Sequence, residues 1–278
     1  MSITNRTMIE PLRIGFLGFG EAGRLLADEL AEKPGVFVSA YDILFATSGV
    51  EGKVTIFDRL DAFCAHCAII ISVVTADQAV RAAEAAAPHL KPAHVFLDFN
   101  SVAPDTKRDA AALIAARGAG YVDCAVMANV FDRGIAVPIL AGGPAAARMA
   151  AILNPLGMTI TVVSSQIGRA SATKLCRSIV IKGMEALMAD FSAAADASGV
   201  FADVVASLNA TFPGVDFAAL AETMPGRLRQ HGIRRAAEMR EAGEMLDALG
   251  LDGDLSRAIA ARQERGAERS VAEPIPRP

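Results

Sequence analysis

Arg13-Ile14-Gly15-Phe16-Leu17 leads directly into Gly18-Phe19-Gly20-Glu21-Ala22-Gly23, and the reading of this junction decides the fold. The apolar run predicts a buried strand, and the amphipathic stretch over 21–32 predicts a helix. Between them stands a G-x-G-x-x-G spacing. Gly18 permits the tight turn out of the strand, Gly20 lets the backbone approach a pyrophosphate, and Gly23 allows close packing of helix on strand. A dinucleotide's pyrophosphate then rests against free N–H groups at the helix N-terminus. Gly18, Phe19, Gly20, Glu21, Ala22 and Gly23 are therefore the expected cofactor contacts. Asp42 follows Gly23 by nineteen residues, at the end of the next apolar run. An acid there accepts hydrogen bonds from ribose hydroxyls and repels a 2′-phosphate, which predicts NAD, with NADP as the other candidate.

Working outward, apolar runs at 13–17, 36–41, 68–74, 94–98, 121–125, 137–141 and 159–163 alternate with helix-like segments at 21–32, 76–87, 105–117 and 145–153. That alternation predicts an α/β fold, a Rossmann-type doubly wound and mostly parallel sheet. Ligands of such sheets bind outside the carboxyl ends of the strands. This places Val73, Val74 and Thr75 in the same crevice, together with Asn100, whose amide can face nicotinamide or substrate or simply cap a turn. After Ser164 the strand signals stop. A long helix is expected over 168–197, followed by further helices punctuated at Phe212-Pro213-Gly214 and Met224-Pro225-Gly226. The expected organisation is a dinucleotide-binding domain over 1–164, an all-α substrate and dimerisation domain over 165–264, and a flexible tail over 265–278.

Hydrophobic residues make up 53% of the 278 residues and charged residues 21%, which excludes a disordered chain. A net charge of −4 gives no electrostatic case for nucleic acid or an anionic membrane as partner. The apolar run at 68–74 is far too short to span a bilayer. Residues 1–11 are polar without an apolar signal core, and four cysteines form no disulfide framework, so a reducing cytoplasm is expected. Cys64-Ala65-His66-Cys67 lacks a second pair to complete a zinc set, so no metal is expected and these read as packing cysteines.

The order of motifs resembles the β-hydroxyacid dehydrogenases and their relative 6-phosphogluconate dehydrogenase, over roughly 12–250. After the glycine-rich turn, the family's Asp-x-Ser-Thr-x-x-Pro segment is matched by Asp98-Phe99-Asn100-Ser101-Val102-Ala103-Pro104. Its Asp-Ala-Pro-Val-Ser-Gly-Gly substrate loop is matched loosely by Asp123-Cys124-Ala125-Val126-Met127-Ala128-Asn129. Its Gly-x-Gly-x-x-x-Lys-x-x-Asn-Asn segment reads Gly168-Arg169-Ala170-Ser171-Ala172-Thr173-Lys174-Leu175-Cys176-Arg177-Ser178. The run from Lys182-Gly183-Met184-Glu185 to Glu238-Met239 resembles a branch with its own helical C-terminal domain of unassigned role. The resemblance implies hydride transfer between NAD(P) and a hydroxy or keto compound, with Lys174 as general acid/base. It makes Asn100, Met127, Ala128, Asn129, Arg177 and Ser178 the substrate contacts. Met127-Ala128-Asn129 stands where the family has Ser-Gly-Gly to bind a carboxylate, and Arg177-Ser178 where it has two asparagines.

From the residues alone, Lys174 lies six residues into the long helix, with Arg177 and Ser178 on its face at i+3 and i+4. A lysine in a partly desolvated crevice can exchange a proton near neutrality; one on an open face simply snorkels. Arg227, His231 and Arg235 share a helix face, either as a solvated charged surface or as an anion-binding edge, with His231 and Arg235 the candidate substrate contacts. Related enzymes use C-terminal basic residues across a dimer, and a homodimer is expected here. Two other functions compete: imine reduction on the same fold, against which Lys174 argues, and a non-catalytic dinucleotide sensor.

Overall fold

The computed structural model describes residues 11–268, and the chain divides into two compact units, 1–171 and 172–278. In the first, nine strands form one sheet: β1 (Leu12–Leu17), β2 (Val36–Tyr41), β3 (Gly49–Glu51), β4 (Val54–Phe57), β5 (Ile69–Ser72), β6 (Val95–Asp98), β7 (Gly120–Val126), β8 (Pro138–Gly142) and β9 (Thr159–Ser164). Helices α1 (Glu21–Ala31), α2 (Leu60–His66), α3 (Ala79–Ala86), α4 (Pro104–Ala115), α5 (Val130–Arg133) and α6 (Ala146–Leu153) connect them. The strand order is β3-β4-β2-β1-β5-β6-β7-β8-β9. The chain thus builds outward from β1 on one side, then returns to lay β5 on its other side, and the switch point falls between β1 and β5. Pairing is parallel except at β3–β4 and β7–β8.

Period-two alternation distributes the apolar side chains to the two faces of the sheet. Ile14, Phe16, Ile69, Ile71, Val95 and Leu97 pack on one face, and Leu17, Ile70 and Phe96 on the other with Phe63, Cys64 and Cys67. Each such side chain contributes about 1.5–3 kcal/mol when fully buried. The two CxxC cysteines are buried packing residues, and burial pushes both thiols up to about 12.

Two strands escape the sequence pattern. β3 and β4 are three and four residues long and form a hairpin about Gly52-Lys53, too short to show an apolar period. The strand expected over 68–74 ends at Ser72, so Val73 and Val74 belong to the loop that follows it.

Of the second unit, α7 (Arg169–Ser198) begins in the first unit and is followed by α8 (Phe201–Thr211), α9 (Phe217–Ala248) and α10 (Asp254–Glu268). Phe212-Pro213-Gly214 separates α8 from α9 as expected, but Met224-Pro225-Gly226 does not break the chain, and Pro225 lies inside α9. Proline has no N–H to give to the carbonyl four residues back. That carbonyl, on Ala221, lies 3.4 Å from the Ser192 hydroxyl of α7, which donates first to the Met188 carbonyl of its own helix at 2.6 Å. A second correction concerns the tail. α10 continues to Glu268, and Gly266 packs so tightly on Leu228 that an added Cβ would lie 2.8 Å from it. Residues 269–278 of the tail expected over 265–278, and residues 1–10 of the polar N-terminal segment, lie outside the described residues.

Candidate functional site

At the end of β1, Gly18 adopts φ +97°, a left-handed conformation that a side chain would strain. A Cβ on Gly18 would also strike the Val73 carbonyl, and one on Gly23 would strike the Gly18 carbonyl. Gly20 faces open space and caps α1 with no side-chain bond, so no side chain satisfies the first-turn N–H groups of Glu21, Ala22 and Gly23. These features fit a pyrophosphate. Phe19 is buried; its backbone N–H donates to Asp42 Oδ2 at 2.8 Å, while Leu44 N–H donates to Oδ1 at 3.0 Å. Asp42 therefore ties the glycine-rich turn to the loop after β2 and stands half-buried at its rim. Arg24 lies over the Phe19 ring at 4.6 Å and pairs with Glu51 of the β3–β4 hairpin.

Across the switch point, Val73 and Val74 are half-buried and Thr75 is exposed. Asn100 is buried, and its amide is committed inward. Its Oδ1 accepts from Val74 N–H at 2.7 Å, and its Nδ2 donates to Ser72 Oγ at 3.0 Å. Asn100 thus braces the loop after β5. Asn100 N–H donates in turn to Asp98 Oδ1 at 2.9 Å.

Beneath this loop lies a charged cluster that sequence reasoning missed. Lys107, fully buried on α4, donates to the Asp98 carbonyl at 2.7 Å and pairs with its carboxylate at 2.9 Å. Tyr121 O–H donates to Asp98 Oδ2 at 2.7 Å; burial first, and Asp98 second, push its ionisation well above the ordinary value, so it remains a donor. Asp123 Oδ2 accepts from the N–H groups of Gly168, Ala170 and Ser171 at 3.0–3.2 Å. Asp123 thus caps the N-terminus of α7, where a negative charge is favourable. The signal was present: Lys107 shares its helix face with the buried Ala110, Ala111 and Ile114.

The loop matching the family's substrate turn is only partly polar. Met127 N–H donates to the Pro138 carbonyl at 2.8 Å, Ala128 is exposed, and Asn129 Oδ1 accepts from Phe131 N–H at 3.4 Å to cap α5.

In the second unit, Lys174 is half-buried and has interaction partners; Arg177 is exposed and Ser178 buried. Lys174, Ser178 and Lys182 follow at i, i+4 and i+8 on α7. The buried Lys182 donates to Ser178 Oγ at 2.9 Å and pairs with Glu238 of α9, which also accepts from Ser178 at 3.4 Å. Burial alone would raise the Glu238 carboxyl, but the positive charges of Lys174, Lys182 and Arg234 outweigh it and hold it at about 2. Burial also lowers Lys182, against the pull of Glu238. His231 is half-buried and has partners of its own. Arg235 pairs with Glu185, which is fully buried on α7, and Arg227 reaches the same carboxylate at 3.7 Å. The anion held by this basic face is thus internal. No cluster able to hold a metal, and no helix long and apolar enough to cross a membrane, is present among the described residues.

Residues 13–165, more than half of the chain, match the NAD binding domain of 6-phosphogluconate dehydrogenase, and residues 195–266 match a domain of unknown function, DUF1932. The chain belongs to the family defined by that NAD binding domain. A conserved hypothetical protein from Sinorhizobium meliloti 1021 is 34% identical, with 96% of this chain and 92% of that one covered at a TM-score of 0.82. A conserved protein of unknown function, described as structurally similar to 3-hydroxyacid dehydrogenases, is 31% identical over 94% of this chain and 98% of its own, with a TM-score of 0.73. The 3-hydroxyisobutyrate dehydrogenase of Mycobacterium tuberculosis is 18% identical over 92% and 94% of the two chains, at a TM-score of 0.73. The chain therefore has a nicotinamide-dinucleotide-binding domain and the fold of the 3-hydroxyacid dehydrogenases.

Proposed function

We propose that this protein is an NAD-dependent oxidoreductase acting on a hydroxy or keto compound, with Lys174 as the general acid/base. The observation that carries this reading is the assembly of Gly18, Gly20, Gly23 and Asp42 at the switch point, in a chain that keeps Lys174 on the helix where the family has its lysine. The dinucleotide supplies the hydride acceptor when bound. The glycine-rich turn orients it, Asn100 fixes the Val74 loop, and Lys174 takes or returns the hydroxyl proton. Met127 and Ala128 stand at the loop that resembles the family's Ser-Gly-Gly turn only loosely, and they favour a substrate with an apolar portion. NADH formation across a panel of β-hydroxy acids tests the reading; retained NAD binding with no turnover on any of them would shift weight to the sensor function. The domain roles follow: dinucleotide binding over 1–164, and substrate binding and dimerisation over 165–264.

Asp42 carries the preference for NAD. Its carboxylate at the rim would meet a 2′-phosphate at close range, so titration calorimetry should show tighter binding of NAD than of NADP. Asp42→Ser should move the ratio towards NADP by about tenfold, roughly 1.4 kcal/mol. A tenfold preference of the unaltered protein for NADP would contradict the assignment.

We also propose a homodimer. Val180, Leu187 and Ile233 are 59%, 65% and 61% exposed, and Phe201, Val204, Val205 and Leu208 of α8 are only half-buried. Apolar helix faces left in water favour association. Sedimentation at micromolar concentration should give a dimer, and monomer alone would overturn the proposal.

A further inference from the structure

Glu238 is a buried carboxylate for which the proposed chemistry has no use as it stands. It sits on α9 opposite one face of α7, the face that carries Lys174, Ser178 and Lys182. Two of those three touch it directly: Lys182 by an ion pair, and Ser178, one turn from Lys174, by a hydrogen bond of 3.4 Å. We propose that Glu238 is a positioning residue for Lys174, its carboxylate fixed by Lys182 and Ser178 so that it holds the Lys174 side chain and supplies the negative charge against which that lysine keeps or releases its proton. The inference rests on the reading of Lys174 as the acid/base.

The surroundings of Glu238 decide the sign of the effect. Lys174 and Lys182 face it from α7, Arg234 stands 3.7 Å away on its own helix, and Arg235 adds positive charge near Lys182 but is paired with Glu185. α10 contributes the uncharged Gln263, which donates to the Lys182 carbonyl at 3.2 Å. The field of Lys174 is among the influences that hold Glu238 ionised, and the coupling is mutual. The negative charge of Glu238 therefore favours a positively charged neighbour on this face of α7, and Lys182 is a like charge competing with Lys174 for the same carboxylate. An opposite charge within a few ångströms shifts a titration by about 1–3 pH units.

The test uses full-length protein grown with lysine carrying ¹³C at Cε, the Lys174 resonance being identified by its loss in Lys174→Arg. Lys182→Met should raise the Lys174 midpoint. Lys182→Met/Glu238→Gln should then lower it by about one unit or more relative to Lys182→Met, without leaving a charged Lys182 buried and unpaired. Glu238→Gln alone should fall below the unaltered protein. The pH profile of kcat/KM should move in the same direction and by the same amount as the resonance. A Lys174 midpoint that is equal in Lys182→Met and the double variant, both retaining native circular dichroism, would overturn the proposal. A moving midpoint with a fixed kinetic profile would also overturn it. The titration needs no substrate, so failure of the Lys174 mechanism itself is read separately, as retained turnover in Lys174→Ala.

Discussion

Lys174→Ala is expected to lower turnover by about 10²–10⁴-fold, the usual contribution of a positioned acid or base, while dinucleotide affinity stays nearly unchanged. The two effects separate because the residues expected to hold the dinucleotide, Gly18, Gly20, Gly23 and Asp42, stand in the first unit, on the loops after β1 and β2 and in the first turn of α1, whereas Lys174 belongs to α7 beyond the division at 171. Lys174→Arg should not rescue the rate. Arginine keeps the positive charge but cannot release a proton near neutrality. A lysine that only positions a substrate anion would behave otherwise, with KM raised and kcat mostly kept in the arginine variant. Steady-state kinetics on the hydroxy acid found by the NADH screen, paired with calorimetry of NAD binding, distinguish these outcomes. Full activity in Lys174→Ala would end the proposed mechanism.

The dinucleotide half of the molecule was legible because its constraints are local. A strand, three glycines and a helix must follow one another without interruption for the turn to form, and Gly18 and Gly23 show why: each would collide with backbone if it carried a side chain. The β3–β4 hairpin was not legible, since seven residues in two strands carry no measurable period. Pro225 misled for a different reason. α9 runs on through the missing bond and packs against α10, a contact that no local pattern contains. The same limit applies to the basic face of α9. Arg227 and Arg235 read either as a solvated charged face or as an anion-binding edge, because their partner, Glu185, lies more than forty residues away in sequence. Likewise, Asn100 was correctly placed at a strand end, yet the direction of its amide depended on Ser72 and Val74. Spacing identifies which residues meet; it does not say which atoms are already satisfied.

The buried cluster under the Val74 loop carries the second large expectation. Lys107→Met should cost about 3–5 kcal/mol, the range seen when one partner of a buried ion pair is removed. The two carboxylates facing Lys107 are not equivalent. Asp123 has the N-terminus of α7 to stabilise its charge, through Gly168, Ala170 and Ser171, and its Oδ1 is 3.9 Å from Lys107. Asp98 would be left with the Tyr121 hydroxyl and the Asn100 N–H against a full buried charge. The loss should therefore trace to Asp98, and Lys107→Met/Asp98→Asn should recover at least half of it by removing the uncompensated charge. Urea unfolding followed by circular dichroism reads both: at an m value of about 3 kcal/mol/M, the midpoint falls by about 1 M or more in Lys107→Met and recovers by about 0.5 M or more in the double variant. A second readout ties the cluster to the site. Asp98 holds Asn100, and Asn100 holds Val74, so Lys107→Met should also weaken dinucleotide binding at urea concentrations far below the unfolding transition. A loss under 1 kcal/mol, or a double variant no more stable than the single one, would show that Lys107 does not neutralise Asp98.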